Sequence, residues 1–271
     1  MIVVATTDVD VAHVRARLAA LGGGATQVIA PATGRRLVLA AVDDEWSAER
    51  VIGRLRADGL VAVARPDGGP RLEGWRAHTR PVVFGDRLSV CVAWSEHDRQ
   101  DLPGLIELGL GGFGNGHHPT TGLLVEELLD RVTGGERVLD VGSGSGVLGL
   151  AALRLGAGEL IAVDIDAASV EATRCNAALN GMADRVQATQ GPLAAIDGTF
   201  DIIVANIARA AIVELAPDLI RLLASGGWLA VSGISPSQCD QIAGFLRPLD
   251  ELDRRTIGDW SAVVFGHTRH G

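Results

Sequence analysis

The predicted fold class is α/β: a Rossmann-like domain built on a parallel sheet, preceded by a smaller ferredoxin-like α+β domain. Three observations predict it. Residues 137–152, RVLDVGSGSGVLGLAA, join a short apolar run to closely spaced glycines and then to helical spacing, the pattern of a strand, a tight turn and a helix. Apolar runs end at Gly142, Asp164 and Asn206, three residues suited to hold a ligand. Residues 1–66 repeat short elements in the order βαββαβ, the split ferredoxin-like motif.

In the first 66 residues, Ile2–Ala5 reads as a strand and Val9–Leu21 as a helix, with Val11, Val14 and Leu18 on one face and Gly22 to Gly24 as its stop. Gln27–Ala30 and Leu37–Val42 are strands, Trp46–Ala57 a second helix, and Leu60–Ala64 a last strand. Asp67–Arg71, rich in Gly and Pro, is the expected boundary. The division is then 1–66, a module that reads equally as a recognition domain or as a spacer or dimerisation unit; 67–108, a linker with interdomain strands; and 109–271, a ligand-binding domain. In the middle part VVFGDRLSVCVAW forms two short strand-like pieces, and Trp75 and Trp94 are interdomain packing residues in preference to stacking platforms.

Residues 109–121, GLGGFGNGHHPTT, form a loop with little hydrophobic reason to exist. Leu123–Val132 follows as an amphipathic helix that Thr120 or Thr121 would cap. Next come the strand Arg137–Val141, a glycine turn, a helix from Val147, a strand ending at Asp164 and a helix over Ala167–Leu179 that Asn176 and Asn180 bracket at its end. Arg185–Thr189 is a third strand, and Phe200–Ala205 is apolar enough to be central in a parallel sheet. A helix over Ile212–Leu223, a Gly226–Gly227 turn and a strand Trp228–Ser232 follow. The helix Gln238–Phe245 and the strands Leu249–Ile257 and Ser261–Gly266 complete the set. Ligands in open α/β sheets sit at the carboxyl ends of the strands, which puts Gly142, Asp164 and Asn206 around one crevice.

Composition narrows the partners. A chain of 271 residues with 47% hydrophobic and 21% charged residues is globular, and a net charge of −9 argues against a nucleic-acid surface while remaining compatible with a basic protein substrate. All 24 cationic residues are Arg. Cys91, Cys175 and Cys239 are too widely spaced for a zinc site or disulfide framework, which points to the cytoplasm. The N-terminus has no basic leader, and no window reaches the roughly 18 apolar residues of a membrane span, so the expectation is a soluble, unprocessed protein without membrane contact.

Gly144, Gly146 and Gly149 match GxGxxG, the dinucleotide fingerprint. The longer phrase DVGSGSG, with Asp140 before the glycines, resembles instead the first motif of S-adenosylmethionine-dependent methyltransferases. The turn alone leaves both cofactors open, and both need an acid such as Asp164 for ribose hydroxyls. Thr121 is placed to contact a cofactor's carboxylate or amino group, unless both threonines merely cap the helix. Neighbouring histidines in a loop point apart, so His117 and His118 are not expected to hold a metal together.

Taken in order, GFGNGHHPTT, VLDVGSGSGVLGLAALRLGA, AVDIDAASVEATRCNAALNG, DIIVANIA, LAPDLIRLL and GGWLAVSGI make the chain from about Trp75 onward resemble the ribosomal protein L11 methyltransferase (PrmA-type) family. The resemblance implies a Rossmann-like domain that binds S-adenosylmethionine, a ferredoxin-like recognition domain before it, and N-methylation of a protein substrate. It carries the family's cofactor contacts onto Thr121, Gly142, Asp164 and Asn206, with Gly144 in the same turn. Asn206 is the expected catalytic residue, since its amide oxygen can accept an amine N–H without adding charge. The family usually writes FGTGTHPTT and NILA where this chain has Phe113-Gly114-Asn115-Gly116-His117-His118 and Asn206-Ile207-Ala208-Arg209. Both departures border the acceptor side. Arg209 could therefore favour an acceptor that carries a carboxylate, such as a peptide terminus or small amine, or be a solvated residue in a first helical turn. A binding protein without turnover and a nicotinamide-linked oxidoreductase are the remaining alternatives.

Overall fold

The computed structural model describes residues 2–6, 10–24, 26–29, 36–42, 50–55, 58, 60–64, 80–93, 99–109, 114 and 116–267. Trp46, Trp75, Trp94, Phe113, Asn115 and the boundary Asp67–Arg71 lie outside the described residues.

The N-terminal elements are β1 (Ile2–Thr6), α1 (Val11–Ala20), β2 (Thr26–Ile29), β3 (Arg36–Ala40), a helix α2 within 50–55, and β4 (Val61–Ala64). Their sheet is antiparallel in the order β2-β3-β1-β4, as the split motif requires. Asp10 caps α1 by accepting the His13 N–H at 3.2 Å. Val14 and Leu18 of α1 and Val51, Ile52 and Leu55 of α2 share one core with Val38, Ala40 and Ala62 of the sheet.

A three-stranded sheet follows. β5 (Val82–Phe84) and β6 (Leu88–Val92), the two short strand-like pieces read from the sequence, pair as an antiparallel hairpin. β7 (Leu105–Leu108) then lies parallel to β6, and the apolar pattern does not reveal it. Glu107 interrupts that pattern yet is buried. The Arg99 guanidinium meets it, Nε to Oε1 at 3.0 Å, and also donates to the Ala93 carbonyl at 2.9 Å. Leu88, Val90, Ile106 and Leu108 pack into the core of the large domain.

That domain is built from α3 (Pro119–Arg131), β8 (Arg137–Val141), α4 (Val147–Leu155), β9 (Glu159–Asp164), α5 (Ala167–Leu179), β10 (Val186–Gln190), β11 (Phe200–Asn206), α6 (Arg209–Leu222), β12 (Leu223–Ile234), α7 (Cys239–Phe245), β13 (Asp250–Ile257) and β14 (Trp260–Gly266). The seven-stranded sheet runs β10-β9-β8-β11-β12-β14-β13. The first five strands in that order are parallel, and β14 is antiparallel to both its neighbours. One face of the sheet packs against α3, α4 and α5, the other against α6 and α7. This is the Rossmann-like fold expected from the sequence. The chain leaves β8 for one side of the sheet and later returns to β11 on the other, so the topological switch point lies between them.

Several boundaries differ from expectation: α3 begins at Pro119 in place of Leu123, and α6 at Arg209 in place of Ile212. β12 begins at Leu223 and runs through the predicted Gly226–Gly227 turn, where Gly226 has φ +89° and the register with β11 shifts. The final two strands do not simply extend the sheet: β14 inserts between β12 and β13. Glu127 of α3, fully buried, binds Arg131 at 2.8 Å and Arg255 of β13 at 2.7 Å, which ties that outer strand to the domain. Among the described residues no helix is long and apolar enough to cross a membrane.

Candidate active site

Where β8 ends, the chain turns back along β9: Gly142 donates its N–H to the Val163 carbonyl at 2.8 Å and Ser143 donates to the same oxygen at 3.2 Å. Gly142, Gly144 and Gly146 have φ of +69°, +54° and +78°, a run of left-handed residues that other side chains resist. At Gly142 space is limiting too, because a Cβ would stand 2.5 Å from Ile207 Cγ2. Gly149 serves packing, as the fingerprint predicts, since a Cβ there would meet Leu160 Cδ2 at 2.5 Å.

Asp164 closes the next strand. Its Oδ2 accepts the Gly144 N–H and its Oδ1 accepts the Asp166 N–H, each at 3.0 Å. Each oxygen keeps a further lone pair for an outside donor. Ile165, directly after it, is 82% exposed, an apolar side chain left bare at the rim. Asp140 lies behind the turn with 1% exposure and accepts the Gly149 N–H at 3.0 Å. Burial pushes its carboxyl up to about 7 from an ordinary 3.8; the Gly149 bond pulls down, and the charge of Asp164 adds to the rise.

The opposite wall comes from α3 and the end of β11. Asn206 donates from Nδ2 to Thr121 Oγ1 at 3.3 Å, and Thr121 is fully buried. This leaves the Asn206 amide oxygen free to accept. Neither threonine caps α3. His118 does so, accepting from the Thr120 N–H at 3.4 Å, because Pro119 at the first helical position makes the preceding residue the cap. The His118 ring also pairs with the Thr120 hydroxyl at 2.7 Å and meets Trp260 edge-on at 5.1 Å. Among the described residues no three His, Cys, Asp or Glu side chains gather to hold a metal.

The structure thus pairs Gly144 with Asp164 and Thr121 with Asn206, and the two pairs meet where Ile207 abuts Gly142. Arg209 opens α6 and donates to Gln241 Oε1 at 2.8 Å. Three contributors are not foreseen in the sequence. Gly233, φ +88°, has no room for a Cβ, which would stand 2.4 Å from the Ile207 carbonyl oxygen; a glycine closing an apolar strand was the available signal. Thr173 donates to the Gly144 carbonyl at 3.2 Å, and Asn176 donates to the Ser145 carbonyl at 2.8 Å. Both lie on one face of α5, and polar residues at that helical spacing could have marked them.

Comparison with known proteins matches this outline. The family model described as Ribosomal protein L11 methyltransferase (PrmA) matches residues 72–268. The ribosomal protein L11 methyltransferase of Pelobacter propionicus is 42% identical over 200 residues, covering 70% of this chain and 64% of that protein. That of Symbiobacterium thermophilum is 45% identical over 195 residues, covering 70% and 63%. The chain therefore spans slightly under two thirds of the length of these relatives. Among solved structures, the ribosomal protein L11 methylase from Lactobacillus delbrueckii subsp. bulgaricus aligns with a TM-score of 0.63 and 33% identity, covering 70% of this chain and 99% of that one.

Proposed function

The chain belongs to the ribosomal protein L11 methyltransferase (PrmA) family, and on that premise we propose that it transfers methyl groups from S-adenosylmethionine to amine nitrogens of a protein, with ribosomal protein L11 as the acceptor. The residues of the crevice fit that cofactor. Gly142 and Gly144 leave backbone, not side chains, facing a ligand, Asp164 has lone pairs for ribose hydroxyls, and Ile165 offers an apolar wall to a base. When bound, the cofactor supplies a sulfonium methyl, so transfer to a neutral amine moves one positive charge without creating another.

Orientation is therefore what the protein must contribute. Asn206, held through Nδ2 by Thr121, aims its amide oxygen at an incoming N–H. A carboxylate at that position would favour the protonated amine, whereas an amide accepts the hydrogen bond and leaves the amine free to lose its proton. The Ile207 carbonyl, beside which Gly233 leaves space, is a second acceptor for the same amine. Thr121 keeps its hydroxyl proton to donate toward the cofactor while accepting from Asn206. In this reading residues 1–66 recognise the substrate protein, 67–108 join the parts, and 109–271 carry the reaction.

The observation that carries the proposal is the Thr121–Asn206 hydrogen bond at 3.3 Å, across the crevice from Asp164. Incubation with radiolabelled S-adenosylmethionine and a lysate of the same organism, resolved by size, tests it. Label in a small ribosomal protein is the expected result, and Asn206→Ala should abolish it while cofactor binding survives. Absence of label in any fraction, or full activity of Asn206→Ala, would reject the proposal. A second reading, an acceptor bearing its own carboxylate, is favoured by Arg209, which stands three residues beyond Asn206 with a neutral partner in Gln241. Label confined to low-mass material would support it.

A further inference from the structure

Helix α5 turns a polar stripe inward. Thr173, Asn176 and Asn180 follow at steps of three and four residues and so share a face. Thr173 is fully buried and Asn176 is 1% exposed. A buried amide is costly unless its hydrogen bonds are made, so the partners matter more than the burial. Asn176 donates from Nδ2 to the Ser145 carbonyl in the glycine turn at 2.8 Å and accepts the Gly109 N–H on Oδ1 at 2.8 Å. Ser145 donates its own hydroxyl to the Gly114 carbonyl at 2.5 Å. Gly109 follows the end of β7, and Gly114 lies on the approach to α3, the helix that carries Thr121. The two walls of the crevice are thus tied by side chains: the turn with Asp164 on one side, the path to Thr121 and Asn206 on the other. Asn180 differs. It bonds the Glu107 N–H at 2.9 Å and the Glu107 carbonyl at 2.7 Å in β7, and the Asn176 carbonyl, but nothing in the turn.

We propose that Asn176 and Ser145 are positioning residues of the cofactor site, bracing the glycine turn against the approach to α3 and so setting the width of the crevice. The inference rests on the reading that S-adenosylmethionine occupies that crevice. A brace of this kind predicts a loss of ligand affinity that exceeds any loss of stability. A merely structural role predicts that Asn176 and Asn180 behave alike, since both tie α5 to β7 or its end.

The test titrates the full chain and the variants Asn176→Ala, Ser145→Ala, Ser145→Thr and Asn180→Ala with S-adenosylhomocysteine by calorimetry, alongside thermal melts with and without that ligand. Asn176→Ala should raise Kd about tenfold and Ser145→Ala about fivefold, the range that one hydrogen bond to a crevice wall commands. Ser145→Thr, which keeps the hydroxyl, should restore most of the affinity. Asn180→Ala should lower the ligand-free melting temperature as much as Asn176→Ala while leaving Kd within about twofold of wild type. Ser145→Ala, which deletes a single oxygen, decides the matter if Asn176→Ala does not fold. Wild-type affinity in Ser145→Ala, or an equal loss in Asn180→Ala, would overturn the brace and leave the cofactor reading intact. A wild-type chain that binds no S-adenosylhomocysteine would overturn both.

Discussion

Replacing Asp140 by Asn should stabilise this protein, and by more at alkaline than at acid pH. The carboxyl is buried behind the glycine turn, accepts one backbone N–H from Gly149, and meets no cation among the described residues. Its pKa stands at about 7 in the folded chain against an ordinary 3.8. A raised carboxyl pKa means that the folded state keeps a proton which the unfolded chain has already released. Stability from this group is therefore fully present below the unfolded value, declines as pH rises, and is gone above the folded value. The interval between the two values corresponds to a penalty on the order of 4 kcal/mol above neutrality. At about pH 5 only part of that interval has been crossed, and the penalty is about 2 kcal/mol. Asparagine is nearly isosteric, keeps an oxygen for the Gly149 N–H, and carries no charge to desolvate. The stability gained by Asp140→Asn should thus grow by roughly 2 kcal/mol between about pH 5 and pH 8, read from urea midpoints of both proteins at each pH. A gain that does not change with pH would show that the carboxyl titrates normally and that the burial argument fails.

Three further perturbations have expected outcomes. Gly142→Ala combines a left-handed backbone with a Cβ 2.5 Å from Ile207 Cγ2, so it should cost about 1–2 kcal/mol in thermal melts. By displacing Ile207 it should lower turnover further than that loss of stability explains. Thr121→Val keeps the volume and removes the hydroxyl that holds Asn206, so kcat should fall about tenfold, as for loss of one orienting hydrogen bond, with the folded fraction unchanged by circular dichroism. Glu127→Gln leaves Arg131 and Arg255 without their buried carboxylate, and should cost about 2 kcal/mol in urea unfolding. That figure stays below the cost for a wholly buried pair because both guanidiniums reach solvent.

Much of the sheet was legible because the signals that specify it are local. The glycine run at 142–146 announces left-handed backbone, and the run at 200–205 is apolar enough to be central in a doubly covered parallel sheet, with strands at 137–141 and 159–164 that end at the same edge. The split motif of the first 64 residues was legible for the same reason. β7 was not, since Glu107 breaks the apolar run and its burial depends on Arg99, a partner that periodicity cannot supply. The cap of α3 was misread because Thr120 and Thr121, the two residues offered as caps, lie inside the helix, which Pro119 starts earlier. Nor could any local pattern place β14 between β12 and β13, because strand order is a property of pairing partners far apart in sequence. Within the crevice the residues at strand ends were readable, whereas Asn176 reads as a helix-end residue until its two distant partners, Ser145 and Gly109, are known.

On the proposed function, the chemistry of the crevice also accounts for an amide and not an acid at the end of β11. Asp140 and Asp164 already place two carboxyl groups near the glycine turn, close enough that the charge of one raises the pKa of the other. Of the two, Asp164 is the one whose carboxylate faces the crevice, and on the proposed function it suits a ligand that carries positive charge. A third carboxylate at position 206 would extend the same field to the acceptor side, where it would hold an incoming amine in its protonated, unreactive form. Asn206 offers the geometry of a carboxylate oxygen without the charge, and its Nδ2 is committed to Thr121, which fixes which end of the amide would face an amine on that proposal. On the proposed function, an acid on one wall and an amide on the other would separate two tasks, attracting the methyl donor and aligning a neutral nucleophile, that a single charged residue could not perform together.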